Sequence, residues 1–358
     1  MNRMGSRIGQ NYSVGARASL WLPVLTLLVF GITSAWGFPR LTVEHAESCK
    51  NCHINPTGSG ARSEYGNFTT AFNELSLPWT KKLVAAHYKK PRIGDALIVG
   101  FDSRHLVLRD GSLFWMQTDG YLTVEPFKGF YYHARFTERG VTENYALLQV
   151  KDQKYSLKAG RFYPAFGLHP DDHNSYIRTR TGHPPNYYLD GLSIGAELYG
   201  TELVAEVMDR FGQGVYGAQV TRTGTFKTFG YYAGLMYRLS EKVNGSYQGV
   251  PHAKAAFAGL SYDRFTALGE FDLIGEDNSS YATYAALYGR VVYGLYAVAE
   301  YNFYDADRHL KSGVNEYIRY SIELYPLPFV QIRPSFTDYL RGEFNTRDEY
   351  FLQIHFGY

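Results

Sequence analysis

The stretch YFLQIHFGY, residues 350–358, places an apolar side chain at every second position. Side chains two positions apart share one face of a β-strand, so this period predicts a strand. Its apolar face carries Tyr350, Leu352, Ile354, Phe356 and Tyr358. The chain therefore ends on a predicted strand with one face that avoids water.

The same period recurs from residue 93 onward. Apolar faces carry Leu97, Val99 and Phe101, then Phe130, Tyr132, Ala134 and Phe136, then Leu192, Ile194, Ala196 and Leu198. The opposite faces carry Asp102 and Arg104, His133 and Arg135, and Ser193 and Glu197. Alternation alone fits either a soluble sandwich, whose apolar face points inward, or an outer-membrane barrel, whose apolar face contacts lipid.

Three features favour the barrel. Residues 350–358 resemble the C-terminal strand signal of bacterial outer-membrane barrels, which usually ends in Phe where this chain has Tyr358. Tight turns alternate with longer loops, as short periplasmic turns and long outer loops require. Aromatic residues cluster beside these breaks, at Tyr187-Tyr188, at Tyr231-Tyr232 and from Tyr293 to Tyr304, like the girdles of membrane barrels.

The breaks define the predicted strands. Tight turns are predicted at Pro126–Gly129, Lys151–Lys154, Tyr199–Thr201, Thr223–Thr225, Asp263–Phe265 and Pro326–Pro328. Longer loops are predicted at Arg139–Glu143, Pro164–Asp190, Ser240–His252, Asp305–Val314 and Arg341–Arg347. The segments between them number about 16, and an even number returns both termini to the periplasm.

Composition agrees with this fold class. The chain has 32 tyrosines, 23 phenylalanines and 36 glycines, its mean hydropathy is −0.29, and no run after residue 40 is apolar for the length of a membrane helix. Membrane residence without such runs implies strands. We predict an all-β fold, a transmembrane antiparallel up-and-down β-barrel over residues 93–358, surrounded by outer-membrane lipid.

The N-terminal sequence is typical of an export signal. Arg3, Arg7 and Arg17 precede an uncharged run from Ala18 to Pro39, which predicts a signal peptide over residues 1–37. The alternative is an uncleaved anchor, because a run of this length could just span a bilayer. Without the leader the chain is nearly neutral, and nothing indicates a nucleic-acid partner.

The sequence CKNCH, residues 49–53, carries the recognisable chemistry. Cys-x-x-Cys-His is the attachment motif of haem c, in which Cys49 and Cys52 bond the two vinyl groups and His53 ligates the iron. Both cysteines of the chain lie in this motif, so no disulfide framework between distant residues is expected. We predict one covalent haem c, with His53 as the metal ligand.

Other interpretations of the motif are weaker. A thioredoxin-like dithiol needs a βαβ setting, and structural zinc needs a fourth ligand, which His45 or a barrel histidine could supply. The sixth iron ligand stays open between His45, which we prefer, and His87. The methionines Met116, Met208 and Met236 all fall in predicted strands.

Residues 38–92 form a predicted small haem segment and basic linker on the periplasmic side of the barrel. A helical face is predicted from the spacing of Tyr65, Phe68, Phe72 and Leu75. That face packs either against the haem or in a small core of its own. The linker carries Lys81, Lys82, Lys89, Lys90 and Arg92.

The third outer loop, Pro164–Asp190, is predicted to fold into the channel. Its charges could set a transverse field on small ions, and are Asp171, Asp172, Arg178 and Arg180. His169 and His173 beside the aspartates also resemble a metal cluster, although pore lining is the plainer interpretation. Candidate lumen residues are Asp102, Arg104, Asp119, His133, Arg135, Glu197, Glu206, Glu300, Arg319, Glu323 and Arg333.

Residues 49–66, CKNCHINPTGSGARSEYG, and 160–168, GRFYPAFGL, resemble outer-membrane porin-cytochrome proteins of dissimilatory metal-reducing bacteria. The resemblance implies electron transfer at the outer membrane, with multihaem cytochromes or small redox carriers as partners. The alternative is a passive diffusion porin for small solutes, in which the haem is structural or sensory. No nucleophile, histidine and carboxylate form a recognisable arrangement, so we expect no enzyme.

Overall fold

The computed structural model describes residues 39–58, 60–67, 72–82, 92–181, 187–243, 250–310, 312–342 and 348–357. The predicted signal peptide lies outside these residues. None of the helices they form has the length and apolar character needed to cross a membrane. The helices with both ends in the described residues include α1 Pro39–His45, α2 Cys49–Cys52, α3 Phe72–Glu74 and α4 Tyr176–Thr179.

Strands make up most of the described chain. They are β1 Arg92–Ile93, β2 Leu97–Leu108, β3 Leu113–Phe127, β4 Phe130–Thr137, β5 Gly140–Val150, β6 Tyr155–Phe162, β7 Leu189–Leu198, β8 Thr201–Arg210, β9 Gln213–Phe226, β10 Phe229–Ser240, β11 Ala253–Tyr262, β12 Phe265–Ile274, β13 Ser280–Val292, β14 Leu295–Asp305, β15 Val314–Leu327, β16 Val330–Arg341 and β17 Glu349–Gly357.

The sheet closes into a barrel of sixteen strands, β2 to β17. Each strand pairs antiparallel with the next along the chain, and β17 pairs with β2 from Phe351 opposite Leu108 to Gly357 opposite Asp102. The short strand β1 adds two residue pairs to β2. Closure satisfies the backbone groups of every barrel strand, which a spanning sheet in lipid requires. The predicted antiparallel barrel is confirmed.

The two faces of the strands differ as predicted. On β7, Leu192 and Ile194 are 52% and 60% exposed, whereas Ser193 between them is 5% exposed. Among the predicted lumen residues, those buried are Asp102, Asp119, His133, Arg135, Glu206, Glu300, Arg319, Glu323 and Arg333. Arg104 and Glu197 are partly buried. Polar side chains therefore point inward and the outer surface is apolar.

Two predicted breaks are wrong. Residues 223–225 belong to β9, and the turn follows Phe226, because the β-branched threonines continue the strand and Lys227 adopts the left-handed φ of 56°. The loop predicted at 139–143 is a tight turn before β5. Gly140 makes this turn possible, since its φ of 97° is open to glycine.

The N-terminal segment lies inside the barrel. Helix α1 packs against β9 to β12, and Leu41 and Val43 join buried side chains of these strands in one apolar cluster. Arg40 is buried with them: its Nη1 donates to Glu323 Oε2 at 2.5 Å, and its guanidinium lies 4.1 Å from the ring centroid of Tyr296. The segment that precedes the barrel in sequence thus forms part of the barrel core.

The helical face predicted across residues 65–75 is described only in part. Residues 64–67 and 72–74 are helical, and residues 68–71 lie outside the described residues. Tyr65 is 41% exposed, whereas Leu75 is 1% exposed and joins an apolar cluster of the barrel strands. The backbone beside Leu75 also bonds to the barrel, since the Gly294 N–H donates to the Glu74 carbonyl at 3.0 Å.

The apolar outer face predicts a specific cost of inserting charge. Leu235, in the middle of β10, is 66% exposed, and Leu235→Arg should lower the free energy of unfolding in lipid by roughly 2–4 kcal/mol. The control is Thr228→Arg in the adjacent turn, which should cost at most about 1 kcal/mol because interfacial positions tolerate charge. Urea unfolding in vesicles measures both. Equal costs for the two variants would contradict a lipid-facing β10.

Candidate functional site

A single helical turn gathers the three motif residues. Ser48 caps α2, its Oγ accepting from the Lys50 N–H at 3.3 Å. The turn ends at His53, whose N–H donates to the Cys49 carbonyl at 2.9 Å. Cys49, Cys52 and His53 then line one cavity.

The chain after the motif folds back on it. The Ile54 N–H donates to the Ala61 carbonyl at 3.1 Å, and the Ser63 N–H donates to the Cys52 carbonyl at 2.9 Å. Only glycine fits at 66, because a Cβ there would collide with the Cys52 carbonyl. The backbone close to Cys52 is thus fixed by its own hydrogen bonds.

Polar anchors tie the segment to one wall of the barrel, formed by the neighbouring strands β6, β7 and β8. Lys50 Nζ contacts Glu197 and lies 3.3 Å from Glu202 Oε1. Further along, Lys158 Nζ donates to Asn55 Oδ1 at 3.2 Å. The segment is therefore held to this wall within the motif and just after it.

The remaining walls of the cavity come from distant parts of the chain. Barrel strands contribute Glu202, Val204, Gln219, Thr221 and Tyr232, and the third outer loop contributes Ala165, Phe166, Gly167, Leu168 and His169. The lining is mixed, with apolar side chains such as Phe166 and Leu168 beside polar ones such as Gln219 and Thr221. Two thiols beside one imidazole form a donor set that fits haem c. The residues present therefore fit that group.

Burial raises the pKa of the Cys49 thiol to about 12. Redox-active Cys-x-x-Cys thiols instead have lowered pKa values, since they react as thiolates. Within the described ranges, no group of three or more His, Cys, Asp or Glu residues is arranged to hold a metal ion. Neither the dithiol nor the zinc interpretation gains support from this site.

Only one of the two residues proposed as the sixth ligand lies in the described part of the chain. His45 lines the cavity, and its Nε2 lies 2.6 Å from Glu74 Oε2. His87 lies outside the described residues. The spacing of the motif gives no signal for His169, which reaches the same cavity from 116 positions after His53. The sequence indicated only that His169 belongs to a loop expected to fold into the channel.

The third outer loop does fold into the barrel, and its aspartates are paired there. Arg104 Nη1 donates to Asp171 Oδ1 at 2.7 Å, and Arg319 Nη1 lies 2.6 Å from Asp172 Oδ2. His173 Nε2 lies 3.0 Å from the same Arg104 nitrogen. The metal-cluster interpretation is therefore wrong, because arginines occupy the positions that a cation would need.

The two loop arginines lie apart from that pairing. Arg178 donates to the Pro170 carbonyl at 3.0 Å, within the loop itself. Arg180 lies 4.8 Å from the ring centroid of Tyr304. The loop aspartates are thus paired with barrel arginines, whereas the contacts of Arg178 and Arg180 are with a carbonyl and an aromatic ring.

No family model and no curated protein matches the chain. Among solved structures, it is similar to Pseudomonas putida OprB at high pH, with 9% identity and a TM-score of 0.56 over 81% of this chain and 100% of OprB. Vibrio cholerae OmpT, an outer membrane protein, has 11% identity and a TM-score of 0.51 over 75% of this chain and 99% of OmpT. At these identities the likeness shows the fold alone, a porin-like outer-membrane β-barrel.

The pair of His45 and Glu74 predicts pH-dependent docking of the segment. The hydrogen bond with Glu74 raises the pKa of His45 above 6.5. The pair therefore stabilises the docked segment fully below pH 6.5, and this contribution is lost as the pH rises through the raised pKa. For a partly exposed pair the loss is at most about 1 kcal/mol, roughly a fivefold change in opening.

Limited proteolysis of residues 39–82 in the folded protein measures this effect. We expect faster cleavage at pH 9 than at pH 6. Glu74→Gln should remove most of that difference, because the neutral amide no longer favours the imidazolium. An unchanged pH dependence in Glu74→Gln would assign the effect to another group.

Proposed function

We propose that this protein is an outer-membrane barrel that carries one covalent haem c inside its lumen and takes part in electron transfer. The supporting observation is the shared cavity of Cys49, Cys52 and His53 within the barrel. The bound group would supply a reversible one-electron couple of its iron. The protein would supply the attachment, an imidazole ligand and a lining that is partly apolar.

Each motif residue has a defined task. Cys49 and Cys52 would hold the haem through thioether bonds, because addition of S–H across a vinyl C=C consumes no oxidant. His53, directly after Cys52, would supply an imidazole ligand to the iron. Both cysteines are partly buried, and His53 is buried.

Orientation follows from the rule that barrels turn their short connections to the periplasm. Strand β8 leaves a short turn at Thr201, and the cavity is lined by Glu202 and Val204. At about 3.3 Å per residue, this places the site within roughly 15 Å of the short-turn end. We propose that the haem exchanges electrons with periplasmic multihaem cytochromes or with small carriers. Basic residues near that end, such as the exposed Lys82, could steer an acidic partner.

A second candidate is passive diffusion of small solutes. The likeness to porin-like barrels supports this function more directly than electron transfer, because the comparisons concern the barrel and carry no information about haem. Against it stands the lumen itself, in which the N-terminal segment and the third outer loop pack among the barrel strands. Solutes would need the space that these two elements occupy.

Covalent haem is the first expectation. The protein purified from the outer membrane should keep its haem stain after denaturing electrophoresis, since thioether bonds survive denaturation. The double change Cys49→Ala and Cys52→Ala should abolish the stain. Asn51→Ala, between the cysteines, is the matched control and should retain it. A native protein without covalent haem, or a stained double variant, would overturn the assignment.

A conductance measurement distinguishes the electron-transfer function from passive diffusion. With a filled lumen, we expect the native protein in planar bilayers to conduct far less than an open porin while its haem titrates reversibly. Arg40→Ala should increase conducting events, because breaking a buried pair costs about 3–5 kcal/mol. Arg161→Ala breaks an exposed pair with Asp190 and should have no effect. High, steady native conductance that Arg40→Ala leaves unchanged would favour the diffusion porin.

A further inference from the structure

Two buried carboxyl groups of the barrel strands accept hydrogen bonds from the backbone of the third outer loop beside the cavity. The Ala165 N–H donates to Glu206 Oε2 on β8 at 2.9 Å, and the Leu168 N–H donates to Glu270 on β12. Gly167 between them has a φ of 74°, and a Cβ there would collide with the Glu270 carboxylate. Strands β8 and β12 thus fix the backbone that leads directly into His169.

The ring of His169 is fixed as well. Its Nε2 donates to the Phe166 carbonyl at 3.1 Å, and it packs edge-on against Tyr163 with ring centroids 5.1 Å apart. With the proton on Nε2, the lone pair lies on Nδ1. A hydrogen bond from one ring nitrogen to a backbone carbonyl is the usual way in which proteins orient a metal-binding histidine.

Other donors are less suited to the second axial position. His45 also lines the cavity, but it is partly exposed and belongs to the same segment as His53, and its Nε2 is paired with the Glu74 carboxylate. Met236 lies on β10 outside the cavity lining, and its Sδ faces the Gly167 N–H at 2.6 Å. Among the described residues that line the cavity, the remaining histidine besides His53 is His169.

We propose that His169 is the second axial ligand, so that the haem is held between His53 of the N-terminal segment and His169 of the third outer loop. This inference rests on the proposed function, because it requires the haem. Two histidine ligands leave no open coordination position. The iron then serves electron transfer and not the binding of small gases.

The spectrum of the purified protein tests the proposal. The native haem should be low-spin with a near-infrared band of bis-histidine ligation, and the reduced form should not bind carbon monoxide. His169→Ala should become high-spin and bind carbon monoxide, and added imidazole should restore the low-spin spectrum. His45→Ala is the matched control and should keep the native spectrum.

The outcomes separate this inference from the proposed function. Absence of covalent haem in the native protein overturns both. Covalent haem with a low-spin spectrum in His169→Ala, or loss of that spectrum in His45→Ala, overturns only the role of His169. If His169→Ala does not insert, as shown by loss of heat-modifiable migration, the native near-infrared band decides, because a high-spin or histidine–methionine spectrum rejects bis-histidine ligation.

Discussion

Polar side chains that point into a closed barrel cannot reach bulk water freely, so each inward charge requires a partner within the lumen. The N-terminal segment and the third outer loop provide many of these partners. Arg40 of the segment pairs with Glu323, and Asp172 of the loop pairs with Arg319. Both elements are therefore tied to the barrel by charges that neither could leave unpaired at low cost.

This constraint bears directly on function. If the segment withdrew, Glu323 would lose the Arg40 guanidinium that contacts it at 2.5 Å, and removing one partner of a buried pair is strongly destabilising. The same withdrawal would expose Leu41 and Val43, which pack against the barrel wall. Such contacts hold the segment within a barrel whose fold is that of porin-like barrels.

The barrel was predictable because its signal is local. A period of two appears within each strand, so ten residues such as those around Leu192 suffice to show it. The turn predicted at residues 223–225 was wrong because threonine occurs in both turns and strands, so the local sequence pattern was ambiguous. The motif at residues 49–53 was equally local, and the structure gathers its three residues in one cavity.

The placement of the segment was not predictable from sequence. Arg40 meets Glu323 across 283 positions, and His169 reaches the motif cavity only because Glu206 and Glu270 hold the loop above it. Contacts between residues so far apart in sequence produce no periodic pattern from which they could be predicted. The burial of Leu75 likewise depends on barrel strands that are distant in sequence.

The described contents of the lumen also bear on the partner that the proposed haem would need. A membrane with its headgroups is roughly 40–45 Å thick, and the cavity lies near the short-turn end. At the other end, a vestibule is lined by Tyr176, Tyr317 and Tyr339, and Asp172 with its partner Arg319 lies between the two openings. A multihaem cytochrome threaded through the barrel would have to displace these paired charges and the N-terminal segment. If the barrel carries the proposed haem, a partner would reach it more directly from the short-turn end, to which the cavity is closer.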